Sequence, residues 1–419
     1  MSDKDLILHN VNYFDSLSGQ MVKHQTFRIT GNKISWIGDP ERYKPKTDDQ
    51  FLDLTGAFLF PGLIDCHLHL EYNADADYER EYLRTKTSSY GYFALKNAQR
   101  HLVAGFTTLR DCGGELWGAS LRRMFEKNVF YGPRLLVAQK IVSQYGNQEA
   151  IGPDELIHSN LWEHTMSGKD GIIHAVRDRV RSGSDFIKTT TTGAVLGGID
   201  SKLQRSFFTD EELEIMVHEA HRLGLHVASH AHTDEGIYTA VQAGVDTIEH
   251  GSLISDDTID LMIEKGSYLV PTQTSAFLDK PELMKALPPE VVEKTIEVDK
   301  AMFVHHRRAF EKGVKLALGT DAGVPGNPHG TSAREITCMM KNVGMTPAQA
   351  LQCATIETAR AIKLSETIGS IEVNKFADLV VVEENPLTQI EILEDISNIS
   401  LVIKNGIIMA RKGRLEQNL

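Results

Sequence analysis

Eight short apolar runs, each followed by a stretch of helical spacing, constrain this chain more than any other feature. The runs are Ala57–Asp65, Phe106–Arg110, Arg134–Ala138, Asp185–Thr189, Leu225–Ser229, Asp246–Glu249, Ser267–Pro271 and Lys315–Gly319. Between them lie helical patterns such as Tyr78–Val103, Gly171–Arg181, Asp210–Leu223, Asp234–Ala243 and Asp256–Glu264. A strand followed by a helix, repeated eight times, predicts an α/β fold, a parallel (β/α)8 TIM barrel.

The flanks read differently. Leu6–His9, Gln25–Thr30 and Lys33–Ile37 near one end, and Ala377–Val382 and Ser400–Lys404 near the other, are short strands between turns, one of them the Asn405-Gly406 hairpin turn. Neither flank is long enough to bury a core alone. Residues 1–60 and 365–419 are therefore expected to combine into one small β-sandwich domain beside a barrel of residues 61–364. Phe277–Lys300, with Pro281, Pro288 and Pro289, exceeds an ordinary connection and predicts a helical insertion over the barrel mouth. Thr346 is placed as an N-cap with Pro347 as the first helical residue.

Bulk properties narrow the function classes. The 419 residues carry a formal net charge of −13, which argues against a nucleic-acid binder. No apolar run approaches the ~20 residues needed to span a bilayer, and no signal peptide is recognisable at the start. Cys66, Cys112, Cys338 and Cys353 are scattered without a C-x-x-C pair, so neither a disulfide framework nor a thiolate zinc site is expected. A cytoplasmic setting is the simplest one, with a homo-oligomer and a small-molecule substrate expected and no nucleic-acid or membrane partner.

The chemistry lies at the strand ends. His67 and His69 are two apart at the end of the first strand, so both imidazoles share one face. Lys188 closes the fourth strand, His230 the fifth with His232 two positions on, His250 the sixth and Asp321 the eighth. In a barrel the C-terminal strand ends ring the catalytic mouth, so these side chains converge on one axis. An H-x-H pair alone is weak; the convergence of all of them points to a metal site.

The motifs Pro61-Gly62-Leu63-Ile64-Asp65-Cys66-His67-Leu68-His69, Gly105-Phe106-Thr107-Thr108-Leu109-Arg110-Asp111, Ala243-Gly244-Val245-Asp246-Thr247-Ile248-Glu249-His250-Gly251, Gly319-Thr320-Asp321-Ala322-Gly323 and Ala377-Asp378-Leu379-Val380-Val381 follow in this order. In them the chain resembles the amidohydrolase superfamily over nearly its whole length. It is most similar to the prolidase-like branch of dipeptidases, carboxypeptidases and an amidase that cleaves ochratoxin. The resemblance implies two divalent ions, zinc being the expected metal. His67, His69 and Asp321 would hold the more buried ion and His230 and His250 the more exposed one. Lys188 would bridge both after carboxylation by CO2, because an ammonium has no lone pair to offer a cation. It also implies amide hydrolysis by a metal-bridging hydroxide, with Asp321 moving the proton to the leaving amine.

His232 is then a substrate contact. Its alternative is the H-x-x-E of His232 and Glu235, which resembles mononuclear deaminases; an imidazolonepropionase-like hydrolysis of a cyclic amide is the other enzyme reading. A scaffold without catalysis is disfavoured because every expected ligand is retained. Tyr145, after the third strand, and Arg205, in the loop after the fourth, are candidate substrate contacts. Arg205 would take a carboxylate through its fork. His329 is a third, at the mouth beyond Asp321. The stretches Val142–Asn147 and Phe207–Thr209 depart from the glycine- and histidine-rich segment and the tyrosine expected of prolidase-like relatives. His305 and His306, beside Arg307 and Arg308, are expected to form a solvated or subunit-facing patch, and Cys66 to be structural.

Overall fold

The first sixty-one residues contain five strands. They are β1 (Leu6–Asp15), β2 (Gln20–Thr30), β3 (Lys33–Gly38), β4 (Gln50–Asp53) and β5 (Phe58–Pro61). The computed structural model describes residues 4–76, 81, 84–143, 167–195, 208–278, 280–285 and 289–416. Tyr145 and Arg205 lie outside the described residues.

The apolar run Ala57–Asp65 is two strands, not one. It breaks at Gly62, whose N–H donates to Asp378 O at 2.8 Å. A Cβ at that position would meet Thr107 Oγ1 at 1.9 Å, so only glycine lets the chain pass there. On the far side β6 (Leu63–Leu68), β7 (Phe106–Asp111) and β8 (Arg134–Val137) form one parallel group. A second parallel group holds β9 (Phe186–Thr190), β10 (His226–Thr233), β11 (Thr247–Leu253) and β12 (Tyr268–Val270).

Two irregular segments link these groups into a ring. Asp185 N donates to Val137 O at 2.9 Å and Val142 N to Lys188 O at 2.8 Å, joining β8 to β9. The expected eighth strand, Lys315–Gly319, forms only isolated bridges, yet it hydrogen-bonds on both sides. Ala317 N donates to Leu269 O, and Cys66 N to Leu318 O, each at 2.9 Å. It runs unusually close to β6: a Cβ on Gly319 would lie 2.7 Å from His67 Cβ. The result is a TIM-barrel-like α/β fold.

Helices follow the strands much as the sequence places them, except that the helix expected over Tyr78–Val103 begins at Thr87. α1 (Thr87–Val103) and α2 (Gly118–Glu126) lie between β6 and β8; α3 (Gly168–Ser182) and α4 (Asp210–Arg222) flank β9. α5 (Asp234–Ala243) and α6 (Asp256–Lys265) follow β10 and β11. α4 starts in a capping box in which Thr209 accepts from Glu212 N while the Glu212 carboxylate accepts from Thr209 N. The insertion after β12 is helical as expected, with one turn at Pro281–Met284 and then the long α7 (Pro289–Lys312). α8 (Ala333–Cys338) follows, and Thr346 and Pro347 open α9 (Pro347–Gln352) through a second capping box with Gln349.

The last strands are β13 (Leu379–Val382), β14 (Ile399–Lys404), β15 (Ile407–Arg411) and β16 (Arg414–Leu415). Asn405 and Gly406 both adopt left-handed backbone, as a two-residue hairpin turn requires. β13 pairs with β5, so both flanks join one nine-stranded sheet, in the order β16-β15-β14-β13-β5-β1-β2-β3 with β4 beside β1. Leu8, Val11, Phe27, Ile34, Leu59, Leu379 and Ile403 form a hydrophobic cluster within this sheet, separate from the barrel core. Among the described residues no helix is long and apolar enough to cross a membrane.

Candidate metal centre

The strand ends deliver the expected side chains to one place. His67 lies in β6 and His69 just after it; Lys188 is in β9, His230 and His232 in β10, and His250 in β11. Ring centroids of His67 and His250 are 5.0 Å apart, and those of His230 and His250 4.5 Å. Asp321 and His250 both adopt left-handed backbone, with φ of 60° and 70°. For residues with a Cβ that costs about 1–3 kcal/mol each, and such strain concentrates where a side chain must be aimed.

Two donor groups emerge. Nε2 of His67 and Nε2 of His69 each lie 3.4 Å from Asp321 Oδ1. His230, His232 and His250 offer ring nitrogens within 4.8 Å of one another. Lys188 is itself buried, and its positive charge bears on His67, His69, His230, His232, His250 and Asp321.

Hydrogen bonds set which nitrogen each imidazole presents. His67 Nδ1 is 2.6 Å from Glu249 Oε2, and a carboxylate has only lone pairs, so Nδ1 carries the proton and Nε2 the free pair. His69 Nδ1 likewise donates to Gly113 O at 3.0 Å. His250 Nδ1 bonds Thr272 Oγ1 at 2.8 Å and His232 Nδ1 bonds Ser252 Oγ at 2.9 Å. His230 makes a long 3.4 Å contact from Nε2 to Gly193 O.

These atoms suit a cation. His67 Nε2 and Asp321 Oδ1 are buried without any hydrogen-bond partner, so two lone pairs face each other. Burial and the nearby Lys188 charge lower His67 to about 4; burial lowers His232 to about 3 and depresses His230 and His250 well below the usual range. All four are therefore neutral near pH 7, the form that ligates metal. Burial alone would raise the Asp321 carboxyl, but the imidazoles of His69 and His67 hold it at about 2, hence anionic. His67, Cys112 and Glu249 make a third group by distance. It is a poor site, because burial pushes the Cys112 thiol up to about 12 and Glu249 is saturated by protein donors.

Other expected residues are placed differently. Glu235 is exposed in the first turn of α5, so the H-x-x-E pair does not assemble. His306 is buried rather than solvated: its Nε2 donates to His250 O at 2.7 Å and its Nδ1 accepts from Gln273 Nε2 at 3.2 Å. His305 reaches Ser252 O at 2.9 Å, so this pair ties α7 across the strand ends, and only Arg307 and Arg308 stay exposed. His329 is buried and engaged on both nitrogens, Nε2 donating to Tyr72 O and Nδ1 facing His101 Nε2, each at 2.9 Å. His101 continues through Ser332 to Asp65, so His329 serves an internal network instead of the mouth.

Sequence reasoning missed Arg110 as part of the site. It is fully buried in β7, and its Nη2 donates to Glu249 Oε1 at 2.8 Å. A charged residue inside the run Phe106–Arg110 was the available signal. Lys294 was also missed. It stands four residues before Val298 on the inward face of α7, with Nζ 3.5 Å from Ala194 O, and its charge acts on His232.

A model of the amidohydrolase family matches residues 58–409, and the chain belongs to that family. It is a hydrolase acting on carbon–nitrogen bonds. The chain is 27% identical to ochratoxinase of Aspergillus niger over 411 residues, covering 93% of this chain and 83% of that protein. It is 23% identical to imidazolonepropionase of Geobacillus sp. (strain WCH70), covering 94% and 92%. Among solved structures, a Xaa-Pro dipeptidase with methionine bound in its active site superposes with a TM-score of 0.86 at 33% identity, covering 97% of this chain and 99% of that one. The A. niger ochratoxinase structure gives 0.84 at 25% identity, covering 97% and 95%.

Proposed function

We propose that this protein is a binuclear metal-dependent amidohydrolase that cleaves the amide bond of a dipeptide or N-acyl amino acid. The observation that carries this reading is the pair of partnerless buried atoms, His67 Nε2 and Asp321 Oδ1, with the buried Lys188 near enough for its charge to bear on both residues. His67, His69 and Asp321 would hold one ion, His230 and His250 the other, and carboxylated Lys188 both. Two bound divalent ions, zinc in the first instance, supply Lewis acidity and an ionised water near neutral pH.

The chain's own residues do the rest. A lysine ammonium among neutral imidazoles would repel both cations; as a carbamate it offers two anionic oxygens instead. Asp321, anionic at neutral pH, accepts a proton as attack proceeds and returns it to the leaving amine, which departs only when protonated. His232, fixed by Ser252, is oriented to hydrogen-bond the substrate. A substrate carboxylate also matches the positive charge that Lys294 brings toward His232. Tyr145 and Arg205 remain proposed contacts in this reading. Residues 61–364 are read as a (β/α)8 barrel, and residues 1–60 with 365–419 as the sandwich beside it.

The test is metal counting followed by a substrate screen. Two ions per chain, and turnover of members of a dipeptide and N-acyl amino acid library, are expected. A single ion that requires His232 would overturn the reading in favour of a mononuclear site.

A further inference from the structure

We infer that Glu249, clamped by Arg110 and Thr247 inside the barrel, is a positioning residue that makes the ion on His67, His69 and Asp321 the more tightly held of the two. The inference rests on the binuclear reading above and concerns how this chain ranks its two ions.

Glu249 cannot turn away from His67. Its Oε1 receives Arg110 Nη2 at 2.8 Å and Thr247 Oγ1 at 2.5 Å, leaving Oε2 for His67 Nδ1 at 2.6 Å. Arg110 is fixed in turn. Its Nε donates to Cys66 O at 2.5 Å, its Nη1 to Thr247 Oγ1 at 3.2 Å, and its guanidinium lies 5.0 Å from the Phe186 ring centroid. Arg110, Glu249 and His67 are all fully buried.

This arrangement is expensive for a barrel interior, which is ordinarily filled by branched apolar side chains. A buried ion pair is often no more stabilising than apolar residues of the same volume. Its benefit is local to His67. A charge-assisted bond pins the Nδ1 proton, aims Nε2 and raises its basicity as a ligand. His69 and His250 rest on neutral oxygens, the carbonyl of Gly113 and the hydroxyl of Thr272. His67 therefore brings its ion an anionic brace, where His250 brings the other ion only a hydroxyl.

The experiment is chelator competition with zinc on the full-length protein, read as two dissociation constants. His230→Asn assigns them: it should remove the weaker constant and keep the tighter, and loss of the tighter one instead would overturn the ranking. Glu249→Gln, similar in volume, should weaken the tighter constant about 10–100-fold and leave the weaker within about threefold. Thr247→Val, which removes one hydroxyl, should shift the same constant several-fold and decides the matter if Glu249→Gln does not fold. Unchanged constants in a folded variant, or equal weakening of both, would refute the role of Glu249. A wild-type protein that takes up fewer than two ions would instead refute the binuclear reading.

Discussion

His67 Nε2 and Asp321 Oδ1 face each other across 3.4 Å inside the protein, and neither atom has a hydrogen-bond partner. With the His67 proton committed to Glu249, the contact sets lone pair against lone pair. An unsatisfied buried polar atom costs about 1–3 kcal/mol, so this geometry is unfavourable until a cation enters.

Removal of metal by a chelator should therefore abolish turnover and lower the unfolding temperature, and divalent ions should restore both. An ion at about 100 times its dissociation constant contributes roughly 2.7 kcal/mol. Identical melting curves with and without ions would count against a site at these residues.

Lys188→Ala should release the shared ligand. Metal content is expected to fall below two per chain and turnover to drop at least 100-fold, in the range of a lost catalytic group, with partial rescue by short-chain carboxylates. Full activity with two ions in Lys188→Ala would rule out a bridging lysine.

Asp321→Asn should reduce turnover by about 10²–10⁴ and weaken metal binding as well. Near-normal kcat in this variant would show that the proton passes elsewhere.

Gly319→Ala tests how closely the eighth segment must approach β6. The new methyl would lie 2.4 Å from Val270 Cγ1 and 2.7 Å from His67 Cβ. A loss of about 1–3 kcal/mol, typical of overpacking, together with weaker metal binding is expected from denaturant melts and metal assays. Wild-type stability would mean that the segment can shift outward freely.

Glu335 offers a pH test away from the candidate ligands. Burial raises its carboxyl to about 7, although it accepts from Gln273 N, Thr274 N and Thr274 Oγ1. The folded state then binds the Glu335 proton more tightly than the unfolded one. This group's contribution is full below about pH 4.5 and is lost as pH rises through about 7. Glu335→Gln should remove that decline, so the melting difference from wild type should change between pH 5 and 8. A pH-independent difference would refute the shift.

What the sequence disclosed follows from periodicity. Residues two apart on a strand share a face, so His67 with His69 and His230 with His232 could be paired by spacing alone. The break at Gly62 could not be read, because one apolar run fits one strand or two in line. The buried setting of His306 depends on α7 lying across β11, a tertiary contact invisible to local pattern. Arg110 and Glu249 meet across 139 residues of chain, and a charge near a strand end looks solvated until its partner is known. Tyr145 and Arg205 lie outside the described residues, and no period in the sequence fixes their side chains.

The nine-stranded sheet ties the timing of folding to the length of the chain. β5 is pinned on one side by β1 and on the other by β13, which is translated about 320 residues later. At about 5–20 residues per second, the ribosome needs on the order of half a minute to deliver that neighbour. Through that interval one edge of β5 lacks its neighbour, and an unpaired strand edge is a template for pairing with another chain.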